Sequence, residues 1–136
     1  MRMYVNSVEE TSFATDTNPS SGLDSQWNST TAHSIGRINT TNYIDMYLAE
    51  FVHIDGQALD PTSFGETDST TGIWKPKKIG SFTSAGTNSF YFNFKDSSNI
   101  GKDESGLGNN FTVSGLTSLD QTTDTCVVNY PTMLPI

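Results

Sequence analysis

Residues 90–96 read FYFNFKD, and this short run decides the predicted fold class. Phenylalanines alternate with more polar residues, and successive side chains of a β-strand point to opposite faces. The three phenylalanines therefore share one face, which we expect to lie in a core. A segment with three glycines follows, and residues 110–116, NFTVSGL, predict the next strand. The run and its neighbours predict antiparallel β structure.

Segments nearer the start of the chain also predict β structure. Residues 2–13, RMYVNSVEETSF, predict a hairpin that turns at Asn6-Ser7, and residues 32–38, AHSIGRI, predict a short strand. Residues 43–56, YIDMYLAEFVHIDG, are the most apolar segment and predict a strand with a bulge or bend, with a helix as the alternative. A short helical turn is predicted near Asp60, with Pro61 at its first position.

Polar segments separate these elements. Residues 14–31 predict a loop, and residues 67–88, rich in Gly, Ser and Thr, predict a linker. Residues 120–136 predict an extended tail that contains Pro131 and Pro135. No continuous amphipathic helix appears in the pattern. The chain is therefore predicted to be all-β, as an antiparallel β-sandwich or part of one.

The chain has 136 residues and a net charge of −8, which limits its partners. Nucleic-acid binding and attraction to an anionic membrane both need a basic face, so both are disfavoured. An acidic surface instead favours divalent cations or neutral partners such as sugars. Cys126 is the single cysteine, so no intrachain disulfide is predicted. Residues 1–10 lack the apolar centre of a secretory signal.

Two longer motifs resemble a known family. Residues 47–66, YLAEFVHIDGQALDPTSFGE, resemble the closing strands of laminin G-type, concanavalin A-like jelly-roll modules in phage and marine viral structural proteins. Residues 90–117, FYFNFKDSSNIGKDESGLGNNFTVSGLT, resemble the opening strands of such modules. The resemblance covers most of residues 2–119 and implies a jelly-roll sandwich. Because the predicted strands are too few for a whole module, the sandwich would be partial or completed by another subunit.

The resemblance also implies a division of the chain. Residues 1–66 would hold the closing strands of one module, and residues 67–88 would form the linker. Residues 89–119 would form a hairpin that resembles the start of a second module, before the tail at 120–136.

The function implied is that of a phage virion structural protein: a capsid decoration, a head fibre or a tail-fibre component. Such a protein is assembled in the host cytoplasm and exposed on the particle surface. Its partners would be other copies of itself and other virion proteins. The alternative is a carbohydrate-binding, lectin-like adhesin module that recognises host surface glycans with the help of calcium.

The glycine-containing segment has two interpretations. As a hairpin turn, it would use Gly106 and Gly108 for positive φ. As a metal site, it would hold calcium with Asp96, Asp103, Asn110 and backbone carbonyls, although the spacing does not fit an EF-hand. We predict the turn and keep calcium as the alternative; no other cofactor is predicted.

The two tryptophans, Trp27 and Trp74, are the candidate glycan contacts, because exposed indole rings stack on sugars. Trp27 lies in the long polar loop, and its alternative role is to cover one end of the sandwich. Trp74 lies beside the basic run at residues 75–78, KPKK, which we expect to pair with acidic groups of a neighbouring subunit.

No catalytic site is predicted. His53 and Asp55 would share a strand face, but no Gly-x-Ser-x-Gly elbow accompanies them. Glu50 and Asp55 would lie on opposite faces, which does not suit a pair of glycosidase carboxylates. His33 and His53 alone do not make a zinc site. The sequence therefore predicts a protein that is not an enzyme.

Overall fold

The computed structural model describes residues 2–23, 25–38, 41–80, 82 and 84–122. This part of the chain is all-β, built from antiparallel two-stranded sheets and short 3-10 helices. The strands are β1 (Tyr4–Val5), β2 (Val8–Glu9), β3 (Phe51–His53), β4 (Gly65–Thr67), β5 (Trp74–Pro76) and β6 (Phe90–Phe92). The 3-10 helices cover Gln26–Asn28, Pro61–Ser63 and Ser118–Asp120. No helix in the described ranges is long and apolar enough to span a bilayer.

The predicted hairpin near the start of the chain is confirmed. β1 pairs with β2, with Val5 opposite Val8. Asn6 and Ser7 form the turn, with φ of 49° and 69°. A turn with positive φ at both central residues matches the right-handed twist of paired strands, and asparagine adopts this conformation more readily than most residues.

The core lies on the pair formed by β3 and β6. Phe51 is opposite Phe92, and His53 is opposite Phe90. Phe90 and Phe92 are the hydrophobic residues that are buried in the described part, which confirms that these two share an inner face. The prediction is wrong for Phe94, which lies beyond the end of β6 with φ of 55°. Phe111 completes this cluster, with its ring centroid 5.1 Å from Phe90 and 4.7 Å from Phe92. Such aromatic pairs add about 0.5–1.5 kcal/mol beyond the area they bury.

The predicted helical turn at Asp60 is also confirmed. Pro61 occupies the first helical position, where its missing N–H costs nothing. The Asp60 carboxylate caps the turn by accepting the N–H of Thr62 at 3.0 Å.

The linker prediction for residues 67–88 is wrong in part, because β5 lies inside that segment. β5 pairs with β4, with Thr67 opposite Trp74 and Gly65 opposite Pro76. The Trp74 ring lies across Gly65, where a Cβ atom would overlap it. Glycine therefore provides the space that the indole fills.

Asp68 explains why a linker-like composition forms a tight hairpin. Its carboxylate accepts the N–H groups of Thr70 and Thr71 at 2.9 and 3.0 Å and the Lys75 ammonium at 3.2 Å. These bonds lower the pKa of Asp68 to about 2. Side-chain acceptors of this kind organise turns in sequences that carry no hydrophobic pattern.

The most apolar segment forms less strand than its sequence predicts. Of residues 43–56, only Phe51–His53 forms a strand, and the helical alternative does not form either. Glu50 has φ of 58°, a left-handed conformation that interrupts the extended chain just before β3. Residues 32–38 form no strand; Arg37 makes an isolated bridge with Tyr43.

The strand predicted at residues 110–116 does not form, so the glycine segment is not a regular hairpin. Phe111 N–H donates to the Gly101 carbonyl at 2.8 Å, but no ladder follows. Instead, the outer edge of β6 at Tyr91 is bonded to Asp103 and Glu104. That loop occupies the position a further strand would need.

β3 and β6 belong to the segments 1–66 and 89–119, and their pairing carries the aromatic core. The division into two modules itself stays a prediction. In the predicted tail, Ser118–Asp120 forms a 3-10 helix with a capping box between Thr117 and Asp120. The tail beyond residue 122, including Cys126, lies outside the described residues.

Candidate functional site

The Asp103 carboxylate organises the glycine segment. It is buried, with 7% of the residue exposed. Its Oδ1 accepts the N–H groups of Tyr91 and Ser105, each at 2.9 Å. Its Oδ2 accepts the Ser105 hydroxyl and the Asn109 N–H, each at 2.8 Å. Asn110 adds a bond to the same residue, because its Oδ1 accepts the Asp103 N–H at 2.8 Å.

These donors control the ionisation of Asp103. Burial raises the pKa of the carboxyl, but the hydrogen bonds from Tyr91, Ser105 and Asn109 together outweigh it and hold the pKa below its usual value. Gly106 and Gly108 supply the positive φ that the sequence predicts, at 88° and 82°. The segment is therefore a loop folded around a charged carboxylate that stays ionised at neutral pH.

The residues of the calcium hypothesis occupy different settings. Asp103 and Asn110 meet through the backbone bond just described, whereas Asp96 forms its own turn with Ser98, whose N–H and hydroxyl it accepts at 3.0 and 2.6 Å. Bonds from Ser98 lower the pKa of Asp96. Among the described residues, no three carboxylate, histidine or cysteine side chains form a metal-binding group. The calcium site stays a prediction.

Trp27 lies beside both histidines. Its ring centroid is 5.1 Å from that of His33 and 5.7 Å from that of His53. The His53 ring in turn contacts Phe90 of the core in a tilted arrangement, with ring centroids 5.1 Å apart. Trp27 remains half exposed. The loop of residues 25–33 is thereby attached to β3 through aromatic contacts, and the glycan-binding role of Trp27 stays a prediction.

His53 is the last residue of β3 and Asp55 lies two positions beyond it, and the two side chains contact different groups. The Asp55 carboxylate accepts from the backbone N–H and side-chain amide of Asn88, at 3.5 and 3.4 Å. The Asp55 N–H donates to the Ser89 hydroxyl at 2.8 Å. The Nε2 atom of His53 is buried and has no hydrogen-bond partner among the described residues. These contacts attach the end of β3 to the segment before β6.

Acid is expected to destabilise the chain through His53. Burial lowers the pKa of His53, Asp55 opposes this shift, and His33 adds to it. The unfolded chain therefore binds the proton more readily than the folded chain does. The contribution of neutral His53 to the free energy of unfolding is fully present above about pH 6.5, and it falls as the pH drops from there to the folded pKa of His53. Urea unfolding at about pH 8 and about pH 5 measures the difference. His53→Gln should reduce it; an equal difference in both proteins would refute the assignment.

Trp74 lines a groove of about 340 Å³ between the β1–β2 hairpin and the β4–β5 hairpin. Its aromatic walls are Tyr4, Phe64 and Trp74, and Pro61 and Pro76 lie among them. We call this site the aromatic–proline groove. Asn6 and Ser7 of the first turn also line it, and no lining residue among the described ones carries a charged side chain.

A second feature is a run of exposed apolar residues before β3. Tyr47 is 98% exposed, and the other large apolar residues of the run are at least 39% exposed. The run comprises Tyr43, Ile44, Met46, Tyr47 and Leu48, with the exposed Asp45 among them. Together with the neighbouring Ile38, which is 81% exposed, these residues place apolar surface in solvent along one segment. We call residues 43–48 the apolar segment.

No protein-family model matches this chain, and no curated protein or solved structure matches it either. The resemblance to laminin G-type modules therefore stays a prediction that rests on sequence motifs.

Two sets of contacts at these sites were not predicted from the sequence. The Asp103 loop carries a recognisable signal, since Asp-x-Ser favours a turn in which the aspartate accepts the N–H two residues later. The contact of Trp27 with His53 carries no such signal, because 26 positions separate the two residues along the chain.

Proposed function

We propose that this chain is a structural protein of a phage virion that acts through assembly with copies of itself and with other virion proteins. The observation that carries this proposal is the exposed apolar segment at residues 43–48. Large apolar side chains grouped in water along one segment are typical of a surface that another chain covers. The acidic composition and the laminin G-type motifs are the support for placing the assembly in a virion.

The size of the core supports the same proposal. Phe90 and Phe92 are the buried hydrophobic residues of the described part. Burial of apolar surface stabilises a fold by about 25 cal/mol per Å², and this must offset a conformational entropy cost of about 1–2 kcal/mol per residue. Two buried phenylalanines supply little of that stabilisation. A partner that covers further apolar surface would contribute the remainder.

The strand pairing of the β3–β6 sheet supports the same proposal. Its β6 edge is covered by the bonds between Tyr91 and residues 103–104. On the β3 side, no further strand pairs with it in the described part. An open strand edge is a template for strand addition from another chain. In this proposal, a jelly-roll sandwich of the laminin G type is completed there by another subunit.

Light scattering at several protein concentrations tests the proposal. The expected native mass is an integer multiple of 14.8 kDa that falls towards the monomer on dilution. Tyr47→Asp should raise the dissociation constant at least about tenfold, because it places a charge on an apolar contact. Since Tyr47 is 98% exposed, the substitution should leave the monomer folded.

Leu119→Asp is the matched control, because Leu119 is 93% exposed and gains the same charge outside the apolar segment. It should retain the native mass of the wild type. A folded monomer at every concentration, or equal effects of the two substitutions, would contradict the proposal.

A further inference from the structure

We propose that the aromatic–proline groove binds residues 129–136, NYPTMLPI, of a second copy of this chain. This inference rests on the proposed function and names the partner segment for assembly. Extended proline-containing segments bind grooves lined by aromatic side chains, since a polyproline II segment is already ordered before it binds. The groove has this character, with Tyr4, Phe64 and Trp74 in its walls.

The groove is built to present its aromatic rings rigidly. The indole of Trp74 lies across the backbone of Gly65, where a Cβ atom would overlap it. Pro61 and Pro76 also line the groove, and proline fixes its own φ. Rigid walls lower the entropy that binding must offset. Asn6 adds an amide N–H group that can donate to ligand carbonyls, which have no internal partner in polyproline II.

Lack of charge together with proline content points to the occupant within this chain. The groove has no charged lining residue among those described, so it favours a neutral segment. The chain carries 15 acidic and 7 basic residues, yet residues 129–136 contain none of either. Of the five prolines, Pro61 and Pro76 line the groove and Pro19 stands alone in a polar loop. Pro131 and Pro135 are therefore the remaining pair.

The spacing of the segment suits this mode of binding. Polyproline II has about three residues per turn, so residues three apart lie on the same edge. Pro131 and Leu134 fall on one such edge, and Pro135 lies next to it. Residues 123–128 separate the segment from the last described residue. Six fully extended residues span at most about 20 Å, which is the upper limit of the distance to a groove on a neighbouring copy.

A synthetic peptide of residues 127–136 tests the inference against the full-length chain. Trp27→Phe leaves Trp74 as the single tryptophan, so indole emission reports on the groove alone. At a concentration where the chain is dissociated, the peptide should change this emission and saturate. At a higher concentration, it should compete with the segment and lower the native mass. A peptide in which both prolines are alanine should bind at least about tenfold more weakly.

Tyr4→Ala in the full chain should weaken peptide binding by a similar factor. Val8→Ala is its matched control, because Val8 is on the same hairpin, is exposed and does not line the groove. It should bind as the wild type does. An unchanged emission with peptide, or an equal response of Tyr4→Ala and wild type, would overturn the inference.

Two further outcomes would also overturn it. Emission that is insensitive both to dilution and to peptide would mean that the segment does not bind the groove of another copy. A response to a neutral disaccharide in place of the peptide would assign the groove to sugars. Neither outcome affects the native mass measured with Tyr47→Asp. The proposed function is therefore tested separately from this inference.

Discussion

Replacing Asp103 with alanine is expected to lower the free energy of unfolding by about 3–5 kcal/mol. The substitution removes an acceptor for four hydrogen bonds and leaves the N–H groups of Tyr91, Ser105 and Asn109 without it. A buried donor that loses its partner costs about 1–3 kcal/mol. Since whole domains are stable by only about 5–15 kcal/mol, the loss is a large fraction of the total. Urea denaturation measures it directly.

Hydrogen exchange locates the effect. The amides of Tyr91, Ser105 and Asn109 should lose protection in Asp103→Ala, because they donate to the missing carboxylate. Asp96→Ala is the matched control, since Asp96 accepts two hydrogen bonds from Ser98 in a more exposed turn. It should change stability by about 1 kcal/mol or less. Equal losses of the free energy of unfolding in Asp103→Ala and Asp96→Ala would show that the hydrogen bonds to Asp103 stabilise the fold no more than those to Asp96.

A different substitution at this position, Asp103→Asn, should alter the response to strong acid. The hydrogen bonds hold the pKa of Asp103 below its usual value, against the effect of burial. The contribution of the ionised Asp103 carboxylate to the free energy of unfolding is therefore fully present above the unfolded pKa of about 3.9. It disappears as the pH falls through the folded pKa of Asp103. Asp103→Asn keeps the shape of the side chain but does not titrate. It should be less stable at neutral pH and should lose less stability in acid.

Replacing Gly101 with alanine is expected to cost at least about 2 kcal/mol, because an added methyl group in a tightly packed site forces the backbone to move. Gly101 is buried, and a Cβ atom there would overlap the carbonyl oxygen of Phe111 and crowd the side chain of Val113. The Phe111 ring contacts both buried phenylalanines, so a shift of its backbone disturbs the core. The midpoint of urea unfolding provides the measurement.

Gly80→Ala is the matched control for this substitution. A Cβ atom at Gly80 would have no heavy atom within 4 Å, and Gly80 has no positive φ that would strain an alanine. It should be neutral or stabilise the chain slightly, because alanine lowers the entropy of the unfolded state. If Gly101→Ala unfolds at the same midpoint as Gly80→Ala, the close approach of Gly101 to Phe111 is not a constraint.

Local chemistry explains the parts of the fold that the sequence predicted correctly. The turn at Asn6-Ser7, the capped turn at Asp60-Pro61 and the positive φ at Gly106 depend on residues within a few positions of each other. The shared face of Phe90 and Phe92 depends on the two-residue period of a strand. Each of these features is therefore present in the sequence as a short pattern.

Competition between segments that are distant in the sequence explains the parts of the fold that were predicted wrongly. Residues 43–56 and 110–116 have strand-like composition, but a strand needs a partner along its edge. Glu50 interrupts the first segment in a left-handed conformation. The loop around Asp103 takes the edge of β6 where the second could have paired. A pattern in one segment cannot show which edge another segment occupies.

The candidate sites divide in the same way. The sequence alone predicted candidate site residues at Trp27, Trp74, Asp96, Asp103 and Asn110, and the acidic composition limited the kinds of partner that we expect. Only the tertiary structure placed Trp74 in a groove with Tyr4, or gave Asp103 its donors from Tyr91 and Asn109. Side-chain chemistry is a property of each residue, whereas the set of neighbours that surrounds it is created when distant segments pack together.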